Sequence, residues 1–153
     1  MLFLYKETSK HMSHVKIIPS TDKNYARNIT QENMVIYYQK RKIEWDDQLF
    51  EQSWKDFDNF EVWCDQTRVG VVRFCIDDQD CRLRDLQIET NSQGRGIGTA
   101  CLDFARQYAL DNHCEKVWLR VFPENPAVKL YERAGFRTYS SGDDLCEMVM
   151  DYL

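Results

Sequence analysis

The chain has 153 residues, 43% of them hydrophobic and 29% charged, with a formal net charge of −5 from 25 acidic and 20 basic side chains. That is the length of one domain with apolar material for its own core, which excludes a disordered chain or a miniprotein stapled by metal or disulfides. The acidic balance provides no basic face for nucleic acid and favours a cationic partner over a polyanion.

No apolar run approaches a membrane span or a signal-peptide core, so the expected location is cytoplasmic, with no membrane partner. The six cysteines (Cys64, Cys75, Cys81, Cys101, Cys114 and Cys146) include no C-x-x-C pair, and His11, His14 and His113 complete no zinc pattern. The expectation is therefore no metal site, and cysteines that serve as small buried hydrophobes in a reducing compartment.

Residues 1–13 read as an N-terminal extension or an appended segment, with His11-Met12-Ser13 as an alternative start, and are set aside. Val15 to Ile18 predicts a strand closed by Pro19. Thr21 to Lys42 predicts a helix with a break near Asn28–Thr30, and Trp45 to Phe57 a second helix, with Phe50 and Trp54 four apart on one face. Phe60 to Cys64 and Val69 to Ile76 read as a hairpin turning at Asp65–Arg68, followed by a strand from Leu83 to Thr90. Ile97, Cys101, Phe104, Ala105 and Tyr108 form the stripe of an amphipathic helix. Lys116 to Phe122 is a strand of β-branched and aromatic residues. Asn125 is an N-cap with Pro126 at the first helical position, Ala127, Leu130, Tyr131 and Ala134 supply the apolar face, and Gly135 closes the helix. Two strands follow, the last from Leu145 to Tyr152. The order β-α-α-β-β-β-α-β-α-β-β predicts an α/β fold of α+β type, with a mixed, largely antiparallel central sheet flanked by helices. The strand near 145–152 is read as an edge, a candidate for pairing across a homodimer.

Between the fourth strand and the amphipathic helix stands Asn91-Ser92-Gln93-Gly94-Arg95-Gly96-Ile97-Gly98. A strand, glycine-rich turn and helix in this order can cradle an anion, because successive amides converge and the helix end adds positive field. Arg95 adds a candidate charge-assisted contact. The glycines fit neither a P-loop, which needs Lys-Ser or Lys-Thr, nor a dinucleotide fingerprint, whose third glycine is replaced by Thr99. A tight turn that serves packing alone is the structural alternative.

Gln93-x-x-Gly96-x-Gly98, followed across one helix and one strand by Asn125-Pro126-Ala127-x-x-Leu130-Tyr131-x-x-x-Gly135-Phe136, resembles the GNAT superfamily of acyl-CoA-dependent N-acetyltransferases. The resemblance covers residues 58–153 well, and it matches residues 20–57 only as the family's variable helix pair. It implies one GNAT-like domain over 14–153 with acetyl-CoA as co-substrate and no metal. The loop from Gln93 through Gly94, Arg95, Gly96, Ile97 and Gly98 to Thr99 would hold the coenzyme A pyrophosphate. The backbone at Leu86, Gln87 and Ile88 would hold the pantetheine arm, with an N–H of Leu86 or Ile88 facing the oxyanion. Asn125 would lie near the pantetheine, and Tyr131 would protonate the departing thiolate.

The implied reaction is direct attack of a primary amine, on a small molecule or a peptide, within a ternary complex. The general base is the open assignment. Some relatives carry a glutamate on the strand before the asparagine, where this chain has Leu119-Arg120-Val121. Asp85 and Glu89 are the candidates, beside a water-mediated path, and a salt bridge such as Asp85 with Arg84 is the structural alternative. The missing glutamate motivates the competing reading, a non-catalytic acyl-CoA sensor or partner-binding module. Tyr37, Tyr38, Trp45, Phe50 and Trp54 are read mainly as core, with a minority walling the acceptor site. Glu44, Asp46 and Asp47 are read as an acidic helix start before an attraction for an ammonium group.

Overall fold

The computed structural model describes residues 14–142 and 144–153, so the extension read over 1–13 lies outside the described residues. The elements run β1 (Val15–Pro19), α1 (Lys23–Lys40), α2 (Asp47–Asp56), β2 (Asp58–Cys64), β3 (Thr67–Asp77), β4 (Asp80–Ile88), a 3-10 turn (Thr90–Ser92), α3 (Ile97–Asp111), β5 (Lys116–Val121), α4 (Ala127–Ala134), β6 (Arg137–Ser141) and β7 (Cys146–Met150). This is the order the sequence predicts. The strands form one seven-stranded sheet in the order β1-β2-β3-β4-β5-β7-β6. Among the described strands only β4 and β5 run parallel.

Both faces are covered. Ile97, Cys101, Leu102, Ala105 and Ala109 of α3 and Tyr131 of α4 bury against Val72, Phe74, Leu83, Val117, Leu119 and Met148 of the sheet. Phe74 and Tyr108 stack at 4.3 Å. On the opposite face Ala26 and Ile29 of α1 and Phe50 of α2 close over Val71, with Trp45 and Trp54 packed beside them. Burial pushes the thiols of Cys81 and Cys101 up to about 12, which makes them inert packing groups at neutral pH. All six cysteines are free.

Two expectations are corrected. The predicted break at Asn28–Thr30 is absent: α1 is continuous, its buried Ala26, Ile29 and Thr30 lie on the packed face, Thr30 Oγ1 donates to the Ala26 carbonyl at 2.8 Å within the helix, and Asn28 faces solvent. The last strand is not an edge. β7 pairs with β5 on one side and β6 on the other, as its buried Cys146, Met148, Val149 and Met150 require. The edge is β6, exposed along its whole length, whose polar sequence carries little hydrophobic signal. Asp46 and Asp47 form the acidic helix start that the sequence predicts. Asp46 accepts from the Gln48 and Leu49 amides, and Asp47 pairs with Arg27 at 2.8 Å. Asp46→Ala is therefore expected to lower stability by about 1 kcal/mol in urea melts while leaving amine turnover unchanged.

Candidate active site

The site begins with one extra residue. Across β3 and β4, Arg73 faces Asp85 and Phe74 faces Leu83, so Arg84 has no partner in the register. Such a bulge bends its strand. The parallel ladder to β5 ends at this point, with Leu83 opposite Leu119. Beyond it the strands diverge around a cleft of about 750 Å³, which α1 and α4 also line.

Strand alternation decides which backbone groups look into the gap. The Glu89 N–H donates to the Val69 carbonyl on β3 at 2.7 Å. Gln87, two residues earlier, turns its backbone the same way, whereas Leu86 and Ile88 turn theirs toward the cleft. The Ile88 carbonyl is already engaged by Asn33 Nδ2 and Gln93 Nε2, each at 3.1 Å. The amides of Leu86 and Ile88 are thus the donors at this edge, and the Gln87 side chain lines the cleft while its backbone serves the ladder.

At the mouth, the chain needs two left-handed residues to enter α3. Gly94 has φ +76° and Gly96 has φ +81°. Gly96 is the N-cap, so no side chain covers the first amides of the helix. Gly94, Gly96, Ile97, Gly98 and Thr99 all line the cleft. Gly98 has another role: a Cβ there would lie 2.7 Å from Leu130 Cδ2, so its lack of a side chain lets α3 meet α4 closely. Arg95 does not line the cleft; its guanidinium lies 3.6 Å from Cys64 Sγ.

Asn125 Oδ1 accepts the Ala127 N–H at 2.9 Å, the N-cap bond expected, with Pro126 in helical conformation behind it. That cap holds α4 so that Tyr131 is buried and lines the cleft. Its ring meets Phe136 edge-on at 5.9 Å. Burial first, then the charge of Asp85, holds the Tyr131 phenol well above its ordinary range.

Of the two carboxylate candidates, Asp85 lines the cleft and Glu89 does not. Glu89 instead accepts the Tyr25 hydroxyl at 3.0 Å. Asp85 is salt-bridged, but to Arg73 at 2.8 Å and not to its neighbour Arg84. Arg73 is buried, donates also to Asn59 and Ser53, and lies against the rings of Phe50 and Phe57. Burial raises the Asp85 carboxyl, and Arg73 opposes the shift.

Two contributors escaped the sequence reading. Asn33 of α1 reaches both Gln87 Oε1 and the Ile88 carbonyl. Arg41 forks onto Glu124 with two bonds of 2.8 Å and lies 4.1 Å over Phe122, tying the end of α1 to the loop before α4. The fork lowers the Glu124 carboxyl to about 2. Tyr37 stacks on Phe122 at 5.5 Å and lines the cleft, whereas Phe50, Trp45 and Trp54 are core. Among the described residues no cluster of His, Cys, Asp and Glu is suited to a metal, and no helix is long and apolar enough to cross a membrane.

Among the described strands the one parallel pair splays above a left-handed glycine turn, and helices cover both faces of the sheet. Residues 26–136 match the family model described as acetyltransferase (GNAT) family, and the chain belongs to that family. Among solved structures it is similar to the PaiA N-acetyltransferase of Thermoplasma acidophilum in complex with coenzyme A, with a TM-score of 0.72 and 16% identity over 91% of this chain and 99% of that one. The spermidine N-acetyltransferase of Vibrio cholerae, in complex with CoA and spermine, gives a TM-score of 0.70 and 21% identity over 88% of this chain and 94% of its own. These two share the fold. The Bacillus subtilis protein YdhI is 27% identical over 70 residues, which are 45% of this chain and 42% of YdhI, so the match spans less than half of that relative.

Proposed function

We propose that the protein transfers an acetyl group from acetyl-CoA to a primary amine by direct attack within a ternary complex. The observation that carries this reading is the divergence of β4 from β5 at Leu83, which turns a free amide edge toward a cleft that begins at the Gly94–Gly96 turn. Amides with no covering side chain at a helix start suit a pyrophosphate. The N–H groups of Leu86 and Ile88 suit the pantetheine arm and the developing oxyanion.

In this reaction the amine nitrogen bonds to the thioester carbonyl carbon and the C–S bond breaks. One proton leaves the amine, and one reaches the sulfur. Tyr131 is the proton donor. Its raised affinity keeps it protonated at working pH, and the burial that raises it raises a thiolate beside it as well. Asp85, directly or through water, receives the amine proton. Burial favours its protonated form, and Glu89 is committed to Tyr25.

Thermal denaturation with acetyl-CoA, coenzyme A, ATP and NAD at equal concentrations tests the coenzyme assignment. A ligand specific to the folded state adds about 2.7 kcal/mol at one hundred times Kd. Acetyl-CoA and coenzyme A are expected to raise the Tm, with ATP and NAD well behind. No shift at millimolar acetyl-CoA overturns the reading. Binding without thiol release across a broad amine panel leaves the non-catalytic sensor in its place.

A further inference from the structure

A second, smaller cavity of about 100 Å³ opens between β4 and β5. Its polar lining is Arg82 and Arg84 from β4, Trp118 and Arg120 from β5, and Glu147 from β7. Leu83 and Leu119 bury toward α3. The alternate residues Arg82, Trp118 and Arg120 therefore point to the opposite face, that of α1 and α2. Arg84 lies there too, 5.1 Å over the Phe57 ring that follows α2. The cavity and the main cleft share Leu83, Arg84, Leu119 and Arg120, so they meet where the strands part.

The charge there is unbalanced. Three guanidinium groups line the cavity against the single carboxylate of Glu147, which lies 3.6 Å from Arg120. Arg82 has only the exposed Asp77, at 3.8 Å. Arg84 makes no hydrogen bond or ion pair among the described residues, and the carboxylate next to it in sequence, Asp85, is held by Arg73. The indole N–H of Trp118 is buried and has no partner among the described residues. This concentration of cations stands in a chain of net charge −5.

We propose that this cavity recognises the acceptor: the substrate is a small primary amine that also carries an oxyanion, a carboxylate or phosphate, seated on Arg84 and Arg120. The proposal rests on the acyltransferase reading and names its substrate class. Guanidinium forks match the paired oxygens of such groups. The volume admits an anionic head and little more. The amine end then points into the main cleft, toward Asp85. The bulge sets both ends of this recognition on adjacent residues of one strand. The overall acidic balance, which favours a cationic acceptor, is thus locally reversed.

Matched amines test the proposal with the full chain and acetyl-CoA: lysine against cadaverine, arginine against agmatine, and glucosamine 6-phosphate against glucosamine. In at least one pair the oxyanion member is expected to have a kcat/KM about tenfold higher or more. Arg84→Gln and Arg120→Gln should each bring that ratio close to one by raising the KM of the oxyanion member. The winning pair identifies carboxylate or phosphate. Preference for the plain amines, or a ratio that survives both substitutions, overturns the proposal. If no amine is acetylated, thermal shift of the coenzyme A-saturated protein decides. Protection by oxyanion members that is lost in Arg84→Gln supports the proposal, and equal or absent protection overturns it. Failure of acetyl-CoA to bind the unmodified protein removes the acyltransferase reading itself, a different result from a wrong amine preference.

Discussion

Gly96→Glu is expected to abolish acetyl-CoA binding. Gly96 holds φ +81° at the N-cap of α3, and an L-residue there costs roughly 1–2 kcal/mol of backbone strain. The larger effect is charge. A carboxylate set about 4 Å from a bound phosphate charge repels it by about 4 kcal/mol at an effective dielectric constant near 20. That repulsion alone predicts an affinity loss of about 10³-fold. Gly96→Ala carries the strain without the charge; the strain costs stability in the free and bound states alike, so this variant should keep an affinity close to that of the unmodified protein, and the two variants separate the effects. Calorimetric titration with acetyl-CoA measures both, and circular dichroism verifies that they fold. Retained affinity in Gly96→Glu would place the coenzyme elsewhere.

Tyr131→Phe is expected to lower kcat by about 10²–10⁴-fold, the usual contribution of a positioned proton donor. The KM for acetyl-CoA should stay close to that of the unmodified protein, since only a proton transfer is removed. Stability should be unaffected. The phenylalanine ring keeps the contact with Phe136, and the lost hydroxyl makes no hydrogen bond among the described residues. The pH profile gives an independent readout. Because the folded environment raises the phenol, its protonated form persists above the ordinary tyrosine range near pH 10. The alkaline limb of kcat in the unmodified protein should therefore lie above that range. Unchanged single-turnover acetylation in Tyr131→Phe would reject the role.

What the sequence disclosed was local. Asn125 and Pro126 announce a helix start by capping chemistry alone, and the bond from Ala127 to Asn125 is the result. The period of Ile97, Cys101 and Ala105 marks a helix whatever lies beneath it, and all three are buried. What remained hidden depends on pairing across the sheet or on separate elements. The unpaired position of Arg84 exists only relative to β3, and no residue type in Leu83-Arg84-Asp85 requires it. Arg73 and Asp85 are twelve residues apart and meet through that register, so Arg84, nearer in sequence, was the natural but incorrect partner. Asn33 reaches Ile88 from another element altogether. Neither the glycine signature nor the asparagine-tyrosine stretch carries information about such contacts.

The close meeting at Gly98 also sets a length. Leu130, which lies against Gly98, is the immediate neighbour of Tyr131, and Gly98 stands two residues after the left-handed turn at Gly96. Packing of the Leu130 side chain on the bare backbone of Gly98 thereby helps to set the span between the amides at one end of the cleft and the phenol at the other. In the proposed reaction the pair of helices would act as a gauge: an acyl donor anchored at its phosphates would bring its carbonyl to Tyr131 only if its arm had the matching number of bonds.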